Sequence, residues 1–116
     1  MKYIIVGLGN FGSSLGMALT RQGHEVIAID RRIEKIEAYK EVISHTICMD
    51  ATDESTVSGL PIIDTDIVIV AIGEDQGANV MATALFKTLK AKRLISRSIN
   101  PLHEKVLQAI GVDDLI

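Results

Sequence analysis

The feature that most constrains this chain is a glycine pattern, Gly7-Leu8-Gly9-Asn10-Phe11-Gly12, set between an apolar run and a helical one. Lys2–Val6 reads as a short strand, and Asn10–Gln22 has helical spacing, with Leu15, Ala18 and Leu19 on one face. A second strand, Glu25–Ile29, ends at Asp30, 18 residues past Gly12. A G-x-G-x-x-G loop between strand and helix, followed by an acid at the end of the next strand, is the full context of a dinucleotide-binding fingerprint. Each glycine has its own task. Gly7 permits the tight turn, Gly9 lets a pyrophosphate approach the backbone, and Gly12, helped by Gly16, lets the helix pack closely. Free amides and the positive helix end then hold the phosphates. A glycine-rich turn without a ligand is the plainer alternative, and this context argues against it.

The rest of the chain keeps alternating. Gly23 closes the first helix as a left-handed cap. Ile33, Ile36 and Tyr39-Lys40 fit a helix, His45–Met49 a strand, and Asp53–Leu60 a short helix stopped by Gly59 and Pro61. Asp66–Ile72 has no polar break after Asp66, which predicts a strand buried on both faces. A helix from Asp75 to about Lys90, a strand Arg93–Ser96, a helix Leu102–Ile110 and a last strand from Val112 complete the pattern. Two βαβαβ halves predict an α/β fold: a Rossmann-like, doubly wound, six-stranded parallel sheet in the order 3-2-1-4-5-6, helices on both faces. Seventeen isoleucines against two Phe, two Tyr and no Trp suit strands buried on both sides. The 116 residues make one domain, with no linker and no repeat.

Charge excludes some functions. A net charge of −3 with no basic half, and few aromatics on which bases could stack, argues against nucleic acid as a partner. The single cysteine, Cys48, lies in an apolar run and reads as a buried small hydrophobe. His24, His45 and His103 are too far apart for a local metal motif and read as edge residues of strands or helices. Residues 3–20 carry no charge, yet four glycines and several polar residues interrupt them, so neither a signal peptide nor a spanning helix is expected. The expectation is a soluble, cytoplasmic chain without direct membrane insertion.

Several residues are candidates to touch a ligand. Asp30 would accept hydrogen bonds from ribose hydroxyls and repel a 2′-phosphate, favouring NAD or an adenine nucleotide over NADP. It also suits the N-cap of a helix starting at Arg31. Arg31 and Arg32 read as solvated helix-start residues, though either could bend back toward a 2′-phosphate. Asp50-Ala51-Thr52-Asp53 follows the third strand and either borders an adenine or forms a turn with a helix cap. Gly73-Glu74-Asp75 follows the fourth strand at the switch point, where Gly73 allows close approach and the two acids favour a helix start. Arg97 ends the fifth strand near the same crevice, a cation for a phosphate or one of these carboxylates.

As a set, the glycine loop, Gly23-His24-Glu25-Val26, Asp30, Asp50-Ala51-Thr52, Ala71-Ile72-Gly73 with Asn79, Ser96-Arg97 and Ile110-Gly111-Val112-Asp113 resemble RCK (KTN or TrkA-N) domains. These are nucleotide-binding regulators of potassium channels and of Trk- and Ktr-type uptake systems. The glycine fingerprint is shared with many dehydrogenases, while the Asp-Ala-Thr segment and the Gly-x-Asp ending are more specific. The resemblance implies a ligand-gated module that takes NAD(H), ATP or ADP along Gly7, Gly9, Asn10, Phe11, Gly12, Asp30 and Arg31. It places Asp50, Ala51 and Thr52 beside the adenine, and Gly73 with Arg97 beside the phosphates. It further implies a membrane potassium transporter or channel subunit as partner, and dimers assembled into a ring at the inner face of the membrane. Two departures matter. Many members have Arg where this chain has Asn10, so no strong triphosphate preference is implied. The family's crossover helix and carboxyl-terminal subdomain would follow Ile116, and a first strand at residue 2 implies a separate subunit if Met1 is the native start.

The rival reading is the cofactor domain of an NAD-dependent oxidoreductase. Hydride transfer needs an acid or base in a substrate pocket facing the nicotinamide. The six expected strands take up all 116 residues, Tyr39 and Lys40 are adjacent instead of spaced, and no nucleophile has a neighbouring base. A third reading, a dimerisation module with a vestigial pocket, leaves Asp30 without a purpose.

Overall fold

The computed structural model describes residues 1–116. In chain order the elements are β1 (Lys2–Val6), α1 (Asn10–Arg21), β2 (Glu25–Asp30), α2 (Ile33–Tyr39), β3 (His45–Cys48), α3 (Glu54–Val57), β4 (Ile67–Val70), α4 (Gln76–Thr88), β5 (Leu94–Ser96), α5 (Pro101–Ile110) and β6 (Asp114–Leu115). The strands form one parallel sheet in the order β3-β2-β1-β4-β5-β6, as the alternation predicts. β1 is central, with Tyr3 registered against Val26 on one side and Ile67 on the other.

Alternation along each strand feeds two cores. Ile4 and Val6 join Val68, Val70 and Phe86 on one face, while Ile5 joins Val26, Ala28 and Ile36 on the other. Each fully buried Val, Ile or Phe side chain among them contributes roughly 1.5–3 kcal/mol. Leu8 carries the second core past the end of β1 and pins the glycine loop to the sheet.

Local chemistry sets the helix ends. Asp53, Asp75 and Asn100 each accept a backbone N–H at the starts of α3, α4 and α5. Pro101 opens α5, and Gly111, at φ 99°, ends it in the left-handed conformation. Gly23 does the same after α1 at φ 89°.

α1 packs closely through Gly12, Ser13 and Gly16, as the glycine pattern leads one to expect, with Leu15 and Leu19 partly buried against the second core. A Cβ on Gly16 would sit 2.9 Å from Ile43 Cδ1. Three expectations need correction. The helix expected over Asp53–Leu60 is a single turn, with Asp53 capping it from outside. Cys48 is exposed, because β3 is the edge strand and little covers it; its Sγ donates to the Arg31 carbonyl at 3.5 Å. His103 is buried, because its helix packs against α4 with the ring turned inward onto Asn79. His45, exposed on β3, and His24, half-buried beside the Tyr3 ring, are edge residues as expected. No helix is long and apolar enough to cross a membrane.

Candidate functional site

At the carboxyl ends of β1, β2, β3 and β4 the chain leaves a crevice of about 330 Å³, where neighbouring connections turn to opposite faces of the sheet. Its floor begins at Gly7, whose φ of 101° only glycine adopts without strain. Gly7 donates its N–H to the Ile29 carbonyl at 2.8 Å, and its own carbonyl presses against Gly12. A Cβ on Gly12 would stand 1.9 Å from that oxygen, so these two glycines fit each other. Gly9 faces open space, with no atom within 4 Å of where a Cβ would be. No side chain caps α1 and its first turn holds no acid, unlike the capped starts of α3, α4 and α5. The positive end of that helix dipole is therefore uncompensated.

Asp30 stands at the end of β2 with its side chain only 5% exposed. Its Oδ2 accepts from Leu8 N–H at 2.8 Å, which ties the glycine loop to the second strand. Its Oδ1 accepts from Arg32 N–H at 2.9 Å and from Arg32 Nε at 3.1 Å, while Arg32 Nη2 lies 3.3 Å from Oδ2. Burial pushes this carboxyl up, but the Arg32 side chain and the Leu8 and Arg32 amides outweigh it and hold the group below the usual aspartate value. The bond to Asp30 in turn raises the Arg32 guanidinium. Arg32 Nη2 also sits 3.4 Å from Glu74 Oε1, so one side chain joins the end of β2 to the loop after β4.

Beyond β3, Asp50 folds onto its own turn. Its Oδ1 accepts from Thr52 Oγ1 at 2.7 Å and from Thr52 N–H at 2.9 Å, and those two bonds lower its pKa. Ala51 is buried as part of the first core. Met49, Ile72 and Met81 give the crevice an apolar lining.

Gly7, Asp30, Arg31, Asp50, Ala51 and Thr52 all line this crevice. Gly9, Asn10, Phe11 and Gly12 continue along the loop and the first turn of α1, outside its wall. Gly73 and Arg97 gather with Phe11 in a separate cluster: the Arg97 guanidinium lies 5.8 Å from the Phe11 ring centre, and a Cβ on Gly73 would be 2.5 Å from Arg97 Nη1. Behind them, Asn79 Nδ2 donates to the Ile72 and Arg97 carbonyls at 2.9 and 3.2 Å, binding the ends of β4 and β5 together.

The structure changes three local assignments. Asp30 is not a helix N-cap: α2 starts at Ile33, and Arg32 holds the cap position without a side-chain bond. Arg32 is not a free helix-start residue: its half-buried side chain pairs with Asp30, because a buried carboxylate needs a counter-charge. Asp75 caps α4, whereas Glu74 turns away to Arg32. Sequence reasoning missed Met49, Ile72 and Met81 as lining residues. Met81 follows Ala78 by three positions and shares its helix face, the one signal that could have found it.

A family model of the TrkA-N domain matches residues 3–116. The chain is 38% identical over 115 residues to the Ktr system potassium uptake protein C of Bacillus subtilis, covering 99% of this chain and 52% of that protein. It thus spans about half the length of the curated relatives it matches. Among solved structures, the NAD(P)-binding domain of an exopolyphosphatase-related protein from Archaeoglobus fulgidus superposes with a TM-score of 0.89 at 25% identity, over 98% of this chain and 85% of that one. The GsuK channel bound to NAD matches with a TM-score of 0.87 at 16% identity, over 99% of this chain and 21% of that one, a likeness of fold.

Proposed function

The chain belongs to the TrkA-N domain family, and from that premise we propose that it is a nucleotide-binding regulatory domain that gates a membrane potassium transporter or channel. Residues 1–116 form the amino-terminal nucleotide-binding domain, and the ligand is NAD(H) or an adenine nucleotide, ATP or ADP. The observation that carries this reading is the convergence of Gly7, Asp30 and the Asp50–Thr52 turn on one crevice beside an uncapped helix start. Gly9 and Gly12, with Asn10 and Phe11 at the start of α1, hold the phosphates on backbone amides, and Gly7, its own N–H held by the Ile29 carbonyl, makes the turn that presents them. Asp30 takes the ribose, with Arg31 beside it, and Asp50, Ala51 and Thr52 border the adenine. Gly73 and Arg97 serve the outer phosphate.

The potassium assignment is supported by a relative named a potassium uptake protein at 38% identity over nearly all of this chain. The cofactor assignment is supported by a neighbour named as an NAD(P)-binding domain. A bound nucleotide changes the state of a pore only if it binds two arrangements of the assembly with different affinity. Dimers, and rings of them on the cytoplasmic face of the membrane, provide those arrangements. We read the domain as non-catalytic: Asp30, Asp50 and Asp75 are each committed to hydrogen bonds that build the site, and Glu74 to an ion pair. Thermal unfolding with NAD, NADH, NADP, ATP and ADP tests the reading. A ligand that binds only the folded state adds about 2.7 kcal/mol at a hundredfold excess over Kd. If no nucleotide raises Tm, the reading fails; NADH turnover with a small substrate would instead favour the oxidoreductase.

A further inference from the structure

We propose that Arg32 is a built-in competitor for the ribose subsite, its guanidinium holding the two acceptor positions on Asp30 that a ribose diol would take. This rests on the nucleotide reading and adds how the site discriminates. A carboxylate offers about four acceptor positions. On Asp30 all four are occupied: by the amides of Leu8 and Arg32, and by Nε and Nη2 of the Arg32 side chain. The two amides belong to the glycine loop and the turn after β2, so they are fixed by the fold. The two side-chain donors are not. Asp30 therefore has room for a 2′,3′-diol only when Arg32 leaves, and the exchange is two donors for two.

The surroundings allow that exchange. The Arg32 side chain is 34% exposed, and its second partner, Glu74, is 58% exposed on the loop after β4. A displaced guanidinium keeps Glu74 and stays at the crevice, where it meets the negative charge of whatever enters. A neutral nucleoside replaces the two Arg32 donors on Asp30 with its diol but offers no charge to the displaced guanidinium. A nucleotide returns a phosphate. Arg32 thus selects phosphorylated ligands over bare nucleosides at a subsite that otherwise reads only the sugar.

The test uses neutral probes, adenosine and 2′,3′-dideoxyadenosine, titrated into the wild-type chain, Arg32→Ala and Arg32→Gln. The Leu8 amide resonance serves as reporter, and ATP, ADP and NAD are titrated in parallel. Adenosine is expected to bind both variants about tenfold more tightly, the scale of hydrogen bonds to a charged group. Dideoxyadenosine, which lacks both diol donors, is expected to change little. Unchanged or weaker adenosine binding in both variants overturns the proposal. An equal gain for both nucleosides overturns it too, since that marks a wider crevice and not a vacated acceptor pair. If wild type and variants bind none of these ligands, the nucleotide reading itself falls; if nucleotides bind and neither variant gives an adenosine gain, only the role of Arg32 does.

Discussion

His103 Nε2 lies 3.0 Å from Asn79 Oδ1, and this contact fixes the protonation of a buried histidine. Asn79 Nδ2 is spent on the Ile72 and Arg97 carbonyls, so Oδ1 can only accept. Nε2 must therefore carry the proton, which leaves Nδ1 bare to accept the Ile99 N–H at 3.1 Å. Ser96 Oγ also donates to Asn79 Oδ1 at 3.2 Å. A second proton on the ring would oppose the Ile99 N–H in a site with no counter-charge among these partners.

Stability should consequently fall in mild acid. Burial lowers the His103 pKa below its ordinary value of about 6.5, so the unfolded chain binds the proton more readily than the folded one. The neutral ring's contribution is whole above the unfolded pKa and is lost as pH falls from there through the folded pKa. Urea midpoints from about pH 7.5 down to about pH 5 should decline for the wild type and decline less for His103→Gln. Equal slopes for the two proteins would show that His103 does not titrate in this way.

Asn79 is expected to matter more than its size suggests. Asn79→Leu keeps the number and branching of side-chain heavy atoms but strips partners from two strand-end carbonyls, His103 and Ser96, all buried or half-buried. Lost buried partners of this kind cost about 2–4 kcal/mol together. The urea midpoint should drop with the m-value unchanged; a loss under about 1 kcal/mol would mean water replaces the amide.

The glycines of the loop should separate stability from binding. Gly12→Ala puts a methyl 1.9 Å from the Gly7 carbonyl, a backbone atom with nowhere to go, and should cost more than about 2 kcal/mol. Gly9→Ala meets nothing within 4 Å and adopts φ −72°, so only the poorer N-cap is felt, at most about 1 kcal/mol. Nucleotide affinity should nonetheless fall in Gly9→Ala, because the methyl occupies the space a pyrophosphate would use. Parallel denaturation and titration check both; equal stability losses would contradict the packing described for Gly12.

The sheet order and most of the crevice were legible because their signals are local. Apolar runs mark the strands, the glycine loop marks the turn, and Asp30 and Asp50–Thr52 follow strands whose ends must converge once the order is known. What escaped depends on residues distant in sequence. Arg32 turns inward because Asp30 is buried and Glu74, brought close by β4, completes its coordination. Cys48 sits in an apolar run, but only the strand order says that β3 is an edge. The inward ring of His103 depends on Asn79, 24 positions away.

Asp30 should reveal its two roles through pH. Asp30→Ala leaves the buried Leu8 N–H without an acceptor and frees Arg32, a loss of about 1–3 kcal/mol at neutral pH. Asp30→Asn restores an acceptor for Leu8 without the charge and should recover part of that loss. The folded-state pKa of Asp30 is depressed, so its contribution is present above the unfolded value of about 3.9 and is lost as pH falls through the folded one. The stability gap between wild type and Asp30→Ala, measured by urea unfolding, should thus narrow in strong acid. A gap that stays constant down to about pH 2 would show that the carboxylate's charge contributes nothing to folding. Both variants should also lose nucleotide affinity at neutral pH. If affinity survives in Asp30→Ala while stability drops, the carboxylate serves the loop alone and the ribose is held elsewhere.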